Sequence, residues 1–144
     1  MSIGKLTALT VSGTGAVTLT WDDGETAPVD LAAIAAARKA LTPLADPAEF
    51  ARARLSDDGW SVEWPSGVDF GAPQLRRWAN EQAGKAMAPA AFRGWIERHR
   101  FTLDRAAEAL GLSRRTVAYY LSGEQPVPRT VMLATVGYDR QAAA

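Results

Sequence analysis

Residues 103–121 read L-D-R-A-A-E-A-L-G-L-S-R-R-T-V-A-Y-Y-L, from Leu103 to Leu121, and the organisation of the whole chain follows from this stretch. Leu103, Ala106, Ala107 and Leu110 recur at i, i+3, i+4 and i+7, the spacing of one apolar stripe on a helix. Thr102 stands where a hydroxyl can accept the free N–H groups of a helix start. Gly111 provides the left-handed residue that ends a helix, Leu112 returns to the apolar side, and Ser113 caps a second helix almost at once. The pattern therefore predicts two brief helices joined by a sharp turn. Ala107 and Gly111 are small enough to let the helices cross closely, and Val117 is placed to pack on the first.

The neighbours of this stretch extend the helical reading. Pro89 can open a helix in which Phe92, Trp95, Ile96 and His99 share a face, and Pro126 and Pro128 lead into another. The spacing from Ala107 to Gly111 to Val117, with the exit Leu121-Ser122-Gly123, resembles the helix-turn-helix of phage-repressor-like regulators. That resemblance implies a C-terminal all-α helix-turn-helix bundle whose partner is double-stranded DNA, read in the major groove by the helix from Arg114 to Leu121.

A helical projection at about 100° per residue separates the faces of that helix. With Val117 inward, Tyr120 and Leu121 also face the core, Arg115 and Tyr119 point away, Ala118 and Ser122 lie between, and Arg114 sits on the flank. Arg114, Arg115, Ala118 and Tyr119 are thus the candidate base contacts. Two arginines in a first turn oppose the positive end of the helix dipole, at about 0.3–1 kcal/mol each when exposed. A guanine edge or a phosphate gives them a purpose, because guanidinium pairs bidentately with either. Candidate phosphate contacts are Thr102, Arg105, Ser113, Ser122, Arg129 and Thr130, which combine hydroxyls or guanidinium groups with helix starts or ends. The alternative for each is a cap or a solvated charge, and Tyr119 also suits a dimer or domain contact.

Ahead of residue 85 the style changes. Ala16 to Trp21 alternates, with Val17, Leu19 and Trp21 on one side and Thr18 and Thr20 on the other, which predicts a half-buried strand. Leu6 to Val11 can pair with it across residues 12–15, and Asp22-Asp23-Gly24 supplies a turn into a third strand at Thr26 to Asp30. Pro28 lacks an N–H and favours an edge position there. Leu31 to Leu41 is expected as a helix capped by Asp30, Asp46-Pro47 as the start of a short one, and Ala51 to Leu55 as a strand. Trp60, Val62 and Trp64 alternate in a further strand, and Pro73 to Gln82 closes the half as a helix.

The series W-D-D-G at Trp21, V-D-L at Val29, L-A-D-P-A-E-F at Leu44 and W-P-S-G-V-D at Trp64 resembles a small uncharacterised bacterial domain family. The resemblance covers roughly residues 6 to 82 and implies an α+β fold without an assigned activity. Members look like accessory proteins, sometimes joined to a DNA-binding domain and sometimes reminiscent of antitoxin-type gene pairs. The expected fold class is therefore α+β: an N-terminal antiparallel sheet with short helices at residues 1–84, then the helical domain at 85–144.

Composition limits the chemistry. The 144 residues include no cysteine and one histidine, which removes disulfides, thiol nucleophiles and Cys-ligated zinc. His99 lies beside an apolar stripe and is read as a packed or hydrogen-bonded ring. The carboxylates Asp22, Asp23, Glu25, Asp57, Asp58 and Asp69 are in or beside turns, where Asp bonds nearby backbone. No catalytic residue, cofactor or metal is expected. The start of the chain leads into no secretory signal and no apolar run spans a bilayer, so the expectation is a cytoplasmic protein.

Charge is uneven along the chain. Residues 1–84 carry seven Lys/Arg against eleven Asp/Glu, a balance of −4, and residues 85–144 carry nine against five, a balance of +4. Of the 16 basic residues 13 are arginine, so position rather than number must identify a nucleic-acid contact. The leading expectation is a transcriptional regulator that acts as a homodimer, with the first domain as sensor, dimeriser or binder of a protein such as a toxin. Dimer candidates are Leu31 to Leu41, the edge near Pro28, and Val131 to Tyr138. The alternative is an adaptor that uses the helical domain to bind a protein.

Overall fold

Val17, Leu19 and Trp21 are buried as their alternation requires, and β2 (Ala16–Trp21) forms the middle of a three-stranded antiparallel sheet. In this computed structural model, which describes residues 3–13 and 15–144, the chain divides into Met1–Gln82 and Ala83–Ala144. Each unit encloses its own apolar core.

In unit 1, β1 (Leu6–Ser12) and β3 (Thr26–Asp30) flank β2, with Val17 opposite Val11 and Val29. Pro28 occupies an edge strand. The turn expected at residues 12–15 includes Thr14, which lies outside the described residues. At the Asp22-Asp23-Gly24 turn, Asp22 accepts the N–H groups of Ile3 (2.9 Å) and Gly4 (3.1 Å), and Asp23 accepts that of Glu25 (2.9 Å).

The single helix expected from Leu31 to Leu41 is not formed. The segment splits into α1 (Ala32–Ala36) and a 3-10 helix at Lys39–Ala45, with Arg38 extended between them at φ −133°. Pro43 cannot donate to an α-helical ladder, and Leu41 and Leu44, three residues apart, both reach the core on the tighter period of a 3-10 helix. Asp30 still accepts the N–H of Ala32 at 2.9 Å, but α1 starts after Leu31.

Next come α2 (Pro47–Phe50), with Asp46 accepting the Ala48 N–H at 3.1 Å, and a second antiparallel sheet. Its order is β4-β5-β6, from β4 (Arg54–Leu55), β5 (Ser61–Glu63) and β6 (Asp69–Gly71). The strand expected from Ala51 is shorter, because the chain is still leaving α2 where the Ala53 N–H donates to the Phe50 carbonyl at 3.3 Å. Val62 and Trp64 are buried, whereas Trp60 is exposed beside the Lys5 ammonium. The W-P-S-G turn closes as the Gly67 N–H donates to the Trp64 carbonyl at 3.0 Å, and the Trp64 indole donates to the Phe50 carbonyl at 3.1 Å. Helix α3 (Ala72–Gln82) buries Ala72, Leu75 and Ala79, and Gln82 bonds both backbone groups of Asp30 at 2.8 and 2.9 Å.

Unit 2 contains α4 (Pro89–His99), α5 (Leu103–Leu110), α6 (Arg114–Ser122) and α7 (Arg129–Ala143). It also holds a two-residue antiparallel ladder, β7 (Ala86–Met87) with β8 (Val127–Pro128), which the reading of this region as purely helical did not anticipate. Two residues are too few to display alternation. Across the described residues no helix is long and apolar enough to cross a membrane.

Candidate nucleic-acid interface

The turn between α5 and α6 is fixed by backbone bonds and two side-chain caps. Thr102 Oγ1 accepts the Arg105 N–H at 3.1 Å and starts α5. Gly111 ends it at φ 71°, and the Leu112 N–H donates to the Ala107 carbonyl at 2.8 Å, closing the last turn. Ser113 Oγ then accepts the Thr116 N–H at 3.1 Å and starts α6. Ala106, Ala107, Val117 and Tyr120 are buried together, with the Tyr120 ring edge-on to Phe92 at 5.7 Å. Burial of Val117 and Tyr120 sets the rotation of α6 and therefore what it turns outward.

On that outward side Arg114 and Arg115 are exposed, and Ala118 and Tyr119 are half-buried. Arg115 Nε donates to the Tyr119 hydroxyl at 2.6 Å, and the guanidinium carbon lies 5.2 Å from the ring centroid. Arg114 Nη1 is 3.5 Å from Asp104 Oδ2 in the first turn of α5, with side-chain exposures of 65% and 74%. Both arginines therefore have partners within the unit. An exposed ion pair contributes about 0–1 kcal/mol, no more than the dipole penalty it offsets, so the fold gains little from Arg114.

The candidate phosphate contacts fall into distinct groups. Thr102 uses an oxygen lone pair as a cap, which leaves its O–H to donate, whereas the Ser122 O–H is committed to the Tyr119 carbonyl at 3.1 Å. Ser113 shares its hydroxyl with that of Thr116 at 2.9 Å. Arg105 is drawn over the Phe101 ring at 5.3 Å, with Nη2 3.5 Å from the Tyr138 hydroxyl and Nη1 3.7 Å from Glu108. Arg129 and Thr130 are exposed in the first turn of α7, where Arg129 donates to the Gly84 carbonyl at 3.4 Å. The Arg114–Asp104 contact thus brings the starts of α5 and α6 together, and no hydrogen bond or ion pair among the described residues links Arg129 or Thr130 to α6.

A second constellation was not legible beforehand. Asp139 on α7 accepts the Trp95 indole N–H at 2.9 Å and His99 Nε2–H at 2.6 Å, while Arg98 reaches its other oxygen at 3.3 Å. The His99 ring stacks on Phe101 at 5.0 Å, and Tyr138 stands edge-on to both. His99 is packed and hydrogen-bonded, as its position beside an apolar stripe suggested. The His99 hydrogen bond, with that of Trp95, holds the Asp139 carboxyl below its ordinary value. Forty residues separate Asp139 from His99, so no local spacing announces the pair. Among the described residues no three His, Cys, Asp or Glu side chains gather as a metal site.

Residues 7–81 match the family model described as Protein of unknown function (DUF2442), and residues 95–121 match that of Bacterial regulatory protein, Fis family. The second match runs from within α4 to the end of the outward-facing part of α6. The helix-turn-helix is what it shares with the phage-repressor-like resemblance. Among solved structures the chain is similar to NE0471 from Nitrosomonas europaea, described as a "Putative DNA Binding Protein". The two are 39% identical over 94% of this chain and 86% of that one, with a TM-score of 0.54. No curated protein matches.

Proposed function

The chain belongs to the DUF2442 family, and from its second unit we propose that it is a DNA-binding transcriptional regulator that reads the major groove with α6. The observation that carries this reading is the outward placement of Arg115, Tyr119 and Arg114 on the second helix of a helix-turn-helix whose inward face is fully used by Val117 and Tyr120. The Fis-family match and the description of the Nitrosomonas europaea structure support it. Arg114, Arg115, Ala118 and Tyr119 face bases in this reading. Thr102, Arg105, Ser113, Ser122, Arg129 and Thr130 flank phosphates, with the free O–H of Thr102 the best poised among the hydroxyls.

One such helix contacts only a few base pairs, so specific binding calls for two copies on half-sites about one helical turn apart. Leu133 and Val136 support a homodimer through α7: they are 52% and 48% exposed, whereas Val131 and Tyr138 of the same helix are spent on the core and the aromatic cluster. In the most concrete version, unit 1 binds a cognate protein and unit 2 represses the operon encoding both, as antitoxins do. Co-purification of the neighbouring gene product with the full chain tests that version, and its failure to bind removes it.

Salt dependence tests the DNA reading itself. Fluorescence anisotropy of the full chain on a labelled duplex is expected to give affinity that falls steeply and log-linearly with salt, through counterion release. Binding only to a protein partner, with no duplex bound at low salt, would instead favour an adaptor.

A further inference from the structure

Unit 1 contains a half-open cavity of about 590 Å3 between α1, the 3-10 helix and α2. That volume lies in the ~300–1,000 Å3 range of small-molecule sites. Its floor is apolar, formed by the buried side chains of Leu31, Leu44 and Phe50, and Ala35 leaves room on the α1 side. Among the described residues its only charged lining residues are Arg38 and Lys39, adjacent in sequence and both exposed, and no carboxylate lines it.

That pair of cations is at odds with its surroundings. Unit 1 has four more acidic than basic residues, and its other cations face carboxylates. Arg54 pairs with Glu63, Arg76 with Asp23 and Glu25, Lys5 acts on Asp58, Arg52 on Glu49 and Arg77 on Glu81. No such partner meets Arg38 or Lys39 among the described residues. In an acidic unit the two unneutralised cations stand beside an apolar cavity. An anion with an apolar body satisfies both features, because its head group gains charge-assisted hydrogen bonds while its tail leaves water.

We propose that this cavity binds a small amphiphilic carboxylate, with the apolar body against Leu31, Leu44 and Phe50 and the carboxylate at Arg38 and Lys39. The site is independent of DNA recognition, so either reading stands if the other fails.

Isothermal titration calorimetry of the full chain with octanoate and, separately, octanol tests it. Octanoate is expected to bind saturably at one per chain, at least tenfold more tightly than octanol. The Arg38→Ala/Lys39→Ala double variant, which alters only exposed side chains, is expected to weaken octanoate at least tenfold and to leave octanol unchanged. Amide chemical-shift changes on adding octanoate are expected to centre on residues 31–51. Absence of saturable octanoate binding, equal affinity for octanol, an unaltered double variant, or shift changes centred outside that segment each overturn the proposal. Ala35→Trp, which fills the cavity, should abolish binding of both ligands while keeping a cooperative thermal transition. If it loses that transition, the double variant decides.

Discussion

Arg115 and Tyr119 form a pre-assembled pair on the outward face of α6: Nε donates to the hydroxyl at 2.6 Å with the guanidinium 5.2 Å from the ring centroid. The bond uses Nε and leaves the two terminal nitrogens, the fork that meets guanine O6 and N7, outside it. A side chain already held in one geometry loses less freedom on binding. Arg115→Ala is expected to cost about 1–3 kcal/mol of specific DNA affinity and to relax base preference at one position of each half-site. Tyr119→Phe keeps the ring and loses the hydroxyl acceptor, so its cost is expected near 0.5–1.5 kcal/mol. Anisotropy titrations on the preferred duplex and on single-base variants check both. Neither change should move the thermal midpoint appreciably, because exposed contacts contribute little to folding.

Asp104 restrains the other arginine. Its carboxylate lies 3.5 Å from Arg114 at the surface where phosphates are expected to approach. Asp104→Asn frees Arg114 and removes a like charge, and is expected to raise DNA affinity about two- to fivefold at low salt, fading as salt rises. The same change removes an acid from the first turn of α5, where it favours the helix, so stability should fall by about 0.3–1 kcal/mol. Opposite movement of affinity and stability is the signature to look for in paired titration and urea denaturation.

Two glycines separate backbone conformation from crowding. A Cβ at Gly111, φ 71°, meets nothing within 4 Å, so Gly111→Ala is expected to cost only the left-handed penalty of about 1–2 kcal/mol. At Gly59, φ 77°, a Cβ would stand 2.8 Å from the Leu6 carbonyl oxygen, so Gly59→Ala must cost more. Arg100 presents the reverse case. It ends α4 at φ 55° without being glycine, and Arg100→Gly is expected to stabilise unit 2 by about 0.5–1 kcal/mol. Relative to the wild type, the denaturant midpoint should fall most for Gly59→Ala, less for Gly111→Ala, and rise for Arg100→Gly.

Asp139 gives unit 2 a defined acid sensitivity. Hydrogen bonds from His99 and then Trp95 favour its ionised form and lower its pKa from the ordinary 3.8. A carboxyl lowered on folding adds stability that is complete above the unfolded value and is lost as pH falls through the folded one. Thermal melts of the wild type should therefore weaken below about pH 4, and Asp139→Asn should flatten that limb while lowering the midpoint near neutral pH. A variant whose acid limb is as steep as that of the wild type would show that other carboxylates govern it.

What the sequence disclosed, and what it hid, follows from the range of the interactions. Thr102, Gly111 and Ser113 act within one turn of themselves, so the caps and the turn could be read directly, and helical periodicity carried the inward direction of Val117 along α6. Alternation revealed β2 for the same reason. The break between α1 and the 3-10 helix escaped because an alanine-rich run satisfies helical propensity, while Pro43 and the Leu41–Leu44 pair act further along. Asp104 opposite Arg114, Asp139 under Trp95 and His99, and Val127 beside Met87 are contacts made only after folding. The outward-facing residues of α6 were found because helix periodicity fixes direction. The partners that restrain them were not, because nothing local encodes them.

The central claim is that α6 reads a specific duplex, and selection from a randomised duplex library with the full chain tests it most directly. A two-fold symmetric motif with half-sites about one helical turn apart should enrich, and Arg115→Ala should bind the winning site at least about fivefold more weakly. No enrichment at low salt, or an enriched site that Arg115→Ala binds as well as the wild type does, would contradict the account.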